Sequence, residues 1–565
     1  MKKILSTVLA ASVVLSGTMF VGCGGAEVGE QVDESKTQIF VSHFNGGYGN
    51  VWINEMKAQF EEAYKSVSFE EGKTGVQVMI TDHKNTATNK NFDIASDDAY
   101  VFFNENVPYN EFVSMNKIMD ITDVVNGTFD INNVAGYENV PDIADKDIIG
   151  KFSSLQKTAL NRGTESAAAY YAIPHYEGYY GFTYDAEMFD NNGYYMYDDG
   201  QFGAYSDSEG LSTGPDGLTG TYDDGMPNTY EDFFKLCDLI AGDGNVPIIF
   251  SGEYQFYITN VINALIADYN GLDEERLYYT FDGTTQSYVT GFEGDTPVLG
   301  EKEITNENGY DVFRQAGYYY GFSFLYEMIN QNDGAYLYDQ CFTDGFSHTN
   351  TQNKYLLSGR TSQADIAMIA DGIWWTAEAT GTFNTMTTNY PKSSAMERQF
   401  KFMPLPKATQ EQVGEGRTLL ESQNSYIMMR KGMPEKYVPL AKLFVQFCNT
   451  ESSLKEFTLK SGLPRALSYE LSDAELATLT PFAKSVFETK SDENTKIVYQ
   501  LSDNALDSDN ATKFKKDKAL AYGSFEFASK AMFNDSTVTA KSYFEGLANS
   551  WKAKWSDEFS SYLSK

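Results

Sequence analysis

The chain has 565 residues, 42% of them hydrophobic and 15% aromatic, and a formal charge of −36 at pH 7. That length exceeds what one hydrophobic core usually organises, so two or more lobes are expected. The charge repels nucleic acids and anionic ligands, which argues against DNA, RNA or phosphorylated molecules as partners.

Residues 1–23, MKKILSTVLAASVVLSGTMFVGC, open with two lysines, continue as an almost uncharged apolar run and end on small residues and a cysteine. That is an export signal rather than a folded element, too short and too interrupted for a good permanent transmembrane helix. Its last four residues, Phe20-Val21-Gly22-Cys23, resemble a bacterial lipobox, with phenylalanine where leucine is usual. The resemblance implies removal of residues 1–22 and lipid on Cys23; an ordinary cleaved signal is the alternative. Residues 23–36 are small, polar and acidic and read as a flexible tether.

Order is expected from Thr37. Ile39-Phe40-Val41 reads as a buried strand and Phe44–Gly49 as a tight loop, before an amphipathic helix with Trp52, Met56, Phe60 and Tyr64 at steps of four. Val76, Val78 and Ile80 then alternate as a second strand. Strand, glycine loop, helix, strand is a βαβ opening and points to an α/β class. The loop sequence FNGGYGNVW has neither the Lys-Ser/Thr pair of a P-loop nor the GxGxxG spacing. It offers Asn45, Tyr48 and Trp52 near a strand end, where open α/β sheets bind ligands.

Further on, YAIPHYEGYYGFTYD (residues 171–185) has the proline and glycines of a segment crossing between structural units; a tyrosine-rich strand pair is the alternative. Residues 191–228 are rich in Gly, Asp and Tyr with little periodicity, and 280–310 look similar, so both read as long inserts. Within the first, Asp216, Asp223 and Asp224 are spaced to wrap a hard cation such as calcium, although the EF-hand pattern is absent and Asp-Gly is also common turn chemistry. Val246–Phe250 reads as a strand, followed by a helix marked by Tyr257, Val261 and Leu265 that ends near Gly271. A helix closing at Gly359 precedes the strand Ala364–Ala370, which ends in an Asp371-Gly372 turn that throws Trp374 and Trp375 forward. Two indoles there either plug a core or stack on a ligand. Leu440, Phe444, Phe447 and Cys448 put one apolar face on a later helix.

Cys237, Cys341 and Cys448 are too few and too widely spaced for a disulfide framework, so buried thiols are expected, with one bridge as the alternative. The four histidines have no zinc-site spacing. No GxSxG motif or catalytic Cys-His signature is present. Seventy-nine acidic residues always supply carboxylate pairs for glycoside hydrolysis somewhere, but their separation is not legible in a sequence.

Taken in order, these segments resemble the extracellular solute-binding proteins of bacterial ABC importers, in the family 1, maltodextrin-binding-like group for carbohydrates. The resemblance rests on the lipobox with Cys23, the NGGYG loop with its helix, the 171–185 segment, AMIADGIWW (residues 367–375) and FMPLP (402–406). It ends with SQNSYI (422–427) and SGLPR (461–465), which resemble the family's later crossings between lobes. It implies a type II periplasmic-binding-protein flytrap with discontinuous lobes: 37–174 with 420–461, and 175–419 with 462–565. A ligand would sit in the cleft between them. On that reading Trp374, Tyr48, Trp52, Tyr254 and Trp375 are expected to stack on sugar rings. Asp371, Glu177, Asn45, Asn424, Tyr179 and Tyr257 are expected to bind sugar hydroxyls. The implied protein is a monomer and not an enzyme. It needs no cofactor apart from the candidate calcium, and a lipid holds it on the outer face of the bacterial cytoplasmic membrane. Its partners would be a neutral oligosaccharide and the permease. A receptor for a peptide or polyamine on the same fold, and a secreted glycoside hydrolase, are the alternatives.

Overall fold

The computed structural model describes residues 31–89, 92–164, 166–205, 209–360, 364–500 and 519–559. The export signal, Cys23 and the first part of the tether lie outside the described residues. The tether ends sooner than residue 36, because Asp33 N donates to Gln77 Oε1 at 2.8 Å and Gln77 Nε2 donates back to the Gln31 carbonyl at 2.9 Å.

The first strands are β1 (Thr37–Phe44), β2 (Val76–His83), β3 (Val101–Asn104) and β4 (Ala172–Pro174). They are followed by β5 (Tyr180–Asp185), β6 (Tyr195–Met196), β7 (Phe202–Gly203) and β8 (Val246–Ile249). Next come β9 (Gly283–Glu293), β10 (Thr296–Ile304), β11 (Ile366–Gly372) and β12 (Phe400–Phe402), and finally β13 (Arg417–Glu421), β14 (Tyr426–Met429) and β15 (Thr495–Tyr499).

Two main sheets organise two lobes. The first has the order β2-β1-β3-β14-β4, with β1 parallel to β2 and β3, and β14 antiparallel to β3 and β4. β1 is buried on both faces, as a central parallel strand must be when helices cover the sheet. The helix Val51–Ala63 buries Trp52, Ile53, Met56 and Phe60 and packs beside the helix Glu451–Ser461. The second sheet has the order β12-β5-β11-β8, with β11 antiparallel to β5 and parallel to β8. The C-terminal helix Ala540–Glu558 returns to this second lobe, where Trp551 stacks on Phe313 at 5.0 Å between ring centres.

The helix expected to end near Gly271 instead runs from Phe256 to Thr280 across a break, with Gly271 at φ 71° and ψ 176°. The expected insert over 280–310 is the antiparallel hairpin β9–β10. Its alternation is hidden because Thr285 and Ser287 share the buried side with Val289. Glu274 explains the polar pattern: its Oε2 accepts from the Thr285 hydroxyl at 3.1 Å and its Oε1 from Ser287 N at 3.0 Å. Cys237, Cys341 and Cys448 are buried free thiols.

The chain crosses between the sheets at 175–179, at 422–425 and at 462–466, and the three crossings are bonded side by side. His175 N donates to the Ser425 carbonyl at 2.9 Å, Ser422 N to the Gly178 carbonyl at 3.0 Å and Glu177 N to the Pro464 carbonyl at 3.2 Å. Neither lobe is a continuous stretch of chain.

Candidate functional site

A cavity of about 630 Å3 lies between the lobes, against the crossings. The first lobe contributes the Gly46-Gly47 loop after β1, Lys84 after β2, and Glu105 and Asn106 after β3. These positions follow the carboxyl ends of parallel strands, the edge at which open α/β sheets hold ligands. The second lobe contributes Tyr180, Tyr257, Asn260, His348, Trp374 and Glu378, and the crossings add Tyr176, Ser422 and Gln423. Aromatic rings and amide or carboxylate groups therefore line one space.

Trp374 is the seam between the lobes. Its ring meets Tyr180 edge-on at 5.0 Å, and Gly47 of the first lobe lies so close that a Cβ there would be 2.6 Å from Trp374 Cδ1. Tyr257 stacks between Phe256, at 4.5 Å, and His348, at 5.8 Å. Behind this wall Asp371 is buried, and one Gln352 amide donates to Asp371 Oδ2 at 3.1 Å and to Glu378 Oε2 at 2.9 Å. Burial first, and the Glu378 charge second, push the Asp371 carboxyl well above its ordinary range; burial likewise pushes Glu378 up. Burial, then the charges of Asp371 and Glu378, raise the Tyr257 hydroxyl.

The structure redistributes the residues expected at the site. Trp374 and Tyr257 line the cavity, Tyr254 stands at its edge with its ring 5.5 Å from His348, and Asp371 lies one layer behind. Asn45 precedes the glycine pair, and its carbonyl accepts from Lys84 Nζ. Four aromatic expectations are corrected by packing. Trp52 is 1% exposed among His175, Phe457 and Phe103. Tyr48 donates to the Phe44 carbonyl at 3.1 Å and packs on Tyr176. Trp375 is fully buried and donates through Nε1 to Thr183 Oγ1 at 3.1 Å. Tyr179 is buried with its hydroxyl on Glu177.

Glu177 is corrected too, because it belongs to the crossings. Its carboxylate accepts from the Tyr179 hydroxyl and from the Tyr499 hydroxyl at 2.6 Å, and pairs with Lys490 Nζ at 3.0 Å. Asn424 is placed there by its backbone, which adopts φ 45°, a left-handed geometry that asparagine tolerates. Its N–H donates to Glu421 Oε2 at 3.1 Å. The three aspartates expected on calcium are committed to protein donors. Asp223 pairs with Arg417 Nη2 at 3.1 Å, Asp224 accepts from Gly220 N at 2.7 Å and Asp216 accepts from Leu218 N at 2.7 Å. Among the described residues no three His, Cys, Asp or Glu side chains are placed to hold a metal.

Lys84, Glu105, Asn106, Asn260, His348, Glu378 and Gln423 were not expected at the site. Glu378 had a signal, standing one helical turn beyond Trp374 in the same segment, and Glu105 follows a short apolar strand.

The crossings also carry a testable pH dependence. Burial raises the Glu421 carboxyl to about 8, although the N–H groups of Gln423 and Asn424 donate to it. An unfolded glutamate titrates near 4.3. Between those values the folded chain holds a proton that the unfolded chain has lost, so stability falls as pH rises, by about 1.4 kcal/mol per pH unit for this group. Thermal denaturation at pH 5 and pH 8 is expected to show a drop in Tm that Glu421→Gln reduces; an undiminished drop in the variant would remove Glu421 as its cause.

No protein-family profile and no curated protein matches the chain. Among solved structures it is similar to maltose-bound MalE3 of T. maritima, with a TM-score of 0.53 at 10% identity, over 92% of this chain and 99% of that one. It is similar to a chitin oligosaccharide binding protein, with a TM-score of 0.54 at 13% identity over the same shares. A probable secreted solute-binding lipoprotein from Streptomyces coelicolor gives 0.54 at 12% identity, over 92% of this chain and all of that one. These likenesses show the fold, the two-lobed α/β architecture of maltose-binding-type periplasmic binding proteins.

Proposed function

We propose that this protein is a carbohydrate-binding receptor of an ABC importer, in the extracellular solute-binding family 1. The observation that carries the reading is the inter-lobe cavity of about 630 Å3, whose lining joins the rings of Trp374, Tyr180 and Tyr257 with Asn106, Asn260, Gln423, Glu105 and Glu378. Sugar rings present apolar CH faces to aromatic rings, and their hydroxyls exchange hydrogen bonds with amides and carboxylates. The volume falls within the roughly 300–1,000 Å3 of small-molecule sites, which suits a short oligosaccharide. Of the similar structures, one is maltose-bound MalE3 and another a chitin oligosaccharide binding protein, which supports the same ligand class here.

In this reading residues 1–22 are removed, lipid on Cys23 holds the protein on the outer face of the bacterial cytoplasmic membrane, and it works there as a monomer. No helix among the described residues is long and apolar enough to cross a membrane. A short tether keeps the receptor at a high effective concentration beside its permease. Lobe closure is the signal the permease reads, because ligand favours the closed form by its differential affinity. The sugar leaves unchanged; the protein is a receptor and not a hydrolase.

The test uses soluble protein lacking residues 1–23, a panel of oligosaccharides, tryptophan fluorescence for binding and chromatography for the fate of the sugar. Saturable binding with the sugar recovered intact is expected. Turnover of a bound sugar would overturn the receptor reading, and binding confined to peptides would overturn the carbohydrate one.

A further inference from the structure

The turn after β3 uses asparagine where this chain usually places glycine. Glycine fills most of the described positions with a left-handed backbone; the exceptions are Asn106, Asn116, Phe281, Lys392 and Asn424. A side chain there costs free energy, because its Cβ crowds the following carbonyl, and asparagine only softens that cost. Glycine meets the same geometry without the crowding. Of these exceptions only Asn106, at φ 52°, lines the inter-lobe cavity.

We propose that Asn106 is a specificity-determining residue of the cleft, its amide gripping two neighbouring hydroxyls of a neutral saccharide ring. The proposal rests on the carbohydrate reading above and deepens it.

The backbone that carries this amide is fixed on both sides. Asn106 N donates to the Gln423 carbonyl at 2.8 Å and Val107 N to the Asn424 carbonyl at 3.2 Å, which ties the turn to the crossing at 422–425. Upstream, Asn104 Oδ1 accepts from Glu105 N at 2.7 Å. Downstream, Pro108 disfavours helical conformations at Val107. A recognition group on so constrained a stretch of chain loses little freedom when it binds.

Two adjacent ring hydroxyls offer a donor and an acceptor side by side. An amide matches them, because its oxygen accepts from one while its NH2 donates to the other. An ionised carboxylate only accepts and cannot supply that pairing. A sugar lacking either hydroxyl loses a hydrogen bond made away from bulk water, so the penalty falls on the deoxy analogue. Keeping a strained asparagine where glycine costs less trades stability for recognition, a trade found at binding sites.

The test reads stability and recognition separately, with Asn116→Gly as the control. Asn116 is also left-handed, at φ 55°, but it is exposed and outside the cavity lining. Both substitutions change the unfolded chain alike. Maltotriose, cellotriose, raffinose and di-N-acetylchitobiose are titrated by calorimetry into the soluble protein, followed by monodeoxy forms of the tightest binder. Asn106→Gly is expected to melt no lower than Asn116→Gly, yet to bind that saccharide about ten-fold or more weakly, while Asn116→Gly keeps wild-type affinity. In the wild type, loss of either of two adjacent hydroxyls is expected to weaken binding about ten-fold or more. In Asn106→Gly those two penalties are expected to shrink to about two-fold or less, while penalties at other ring positions stand. The ratios are taken within each variant, so a partly unfolded sample does not mimic the effect. A melting temperature clearly below that of Asn116→Gly assigns the amide to the fold and overturns the proposal. Deoxy penalties that persist unchanged in Asn106→Gly overturn it and leave the carbohydrate reading standing. Absence of binding by every saccharide overturns the proposal and the carbohydrate reading together.

Discussion

Replacing Trp374 with Ala is expected to weaken saccharide binding by about 100-fold, ~3 kcal/mol, the range of an aromatic anchor at the centre of an interface. The residue lines the cavity, meets Tyr180 edge-on and receives the first-lobe loop at Gly47, so its loss removes a wall of the site and the seat of closure at once. Its burial means that Ala also leaves a void, with a stability cost of about 3–5 kcal/mol for a large aromatic. Trp374→Phe separates the two effects. A smaller ring keeps an aromatic face for the sugar, so binding should fall less than in Ala while most of the thermal stability returns. Calorimetric titration of both variants beside their melting curves checks this. Wild-type affinity in a folded Trp374→Ala protein would remove this residue from the site and much of the physical case for sugar stacking in the cleft.

The fold was legible in particular places for particular reasons. The β1 run, the steps of four from Trp52 to Tyr64 and the alternation from Val76 to Ile80 each express a backbone period directly. Crossings were legible because Pro174, Gly178 and Pro464 mark segments that leave one sheet for another. The hairpin β9–β10 was not, since Glu274 satisfies hydroxyl groups on its inner side and so erases the apolar alternation.

Within the site, the limit was orientation. Trp52 shares its helical stripe with Met56 and Phe60, a stripe that turns to the core, so the expectation that it would stack on a sugar read the ring without its face. Trp374 and Trp375 are neighbours, yet one lines the cleft and the other packs on Phe400 and Phe482. The change from strand to helix after Gly372 sends them to opposite sides, and no local pattern encodes that turn. Glu105 and Glu378 are far apart in sequence and are two of 79 acidic residues. Only the fold brings both to the lining of one cavity.

That arrangement is itself open to attack at one atom. Gly47→Val is expected to leave each lobe folded and to prevent their closure. Gly47 has no left-handed backbone requirement, and the three atoms nearest its new Cβ belong to the opposite lobe, Trp374 Cδ1 at 2.6 Å and Cγ at 3.0 Å and Glu378 Cγ at 2.9 Å. Separations that short force something to move, and the two isopropyl methyls add to the conflict. Trp374 has little room to retreat, because its ring already lies close to Gly372 of its own lobe and to Gly178 of the crossing. Open lobes avoid the clash entirely, so the substitution moves the equilibrium toward the open form without removing any group that touches ligand. A ligand that closes the wild-type protein must then supply the difference, and its affinity falls by about 100-fold if the wedge costs ~3 kcal/mol. Small-angle scattering reads the geometry: sugar should contract the wild-type protein and leave Gly47→Val extended, with its melting temperature in the absence of sugar unchanged. Gly291→Val in β9, where a Cβ has nothing within 4 Å, is the control and should contract normally. Normal contraction of Gly47→Val would show that the lobes close on ligand without the Gly47–Trp374 contact, and the signal to the permease would then have to arise elsewhere on the cleft.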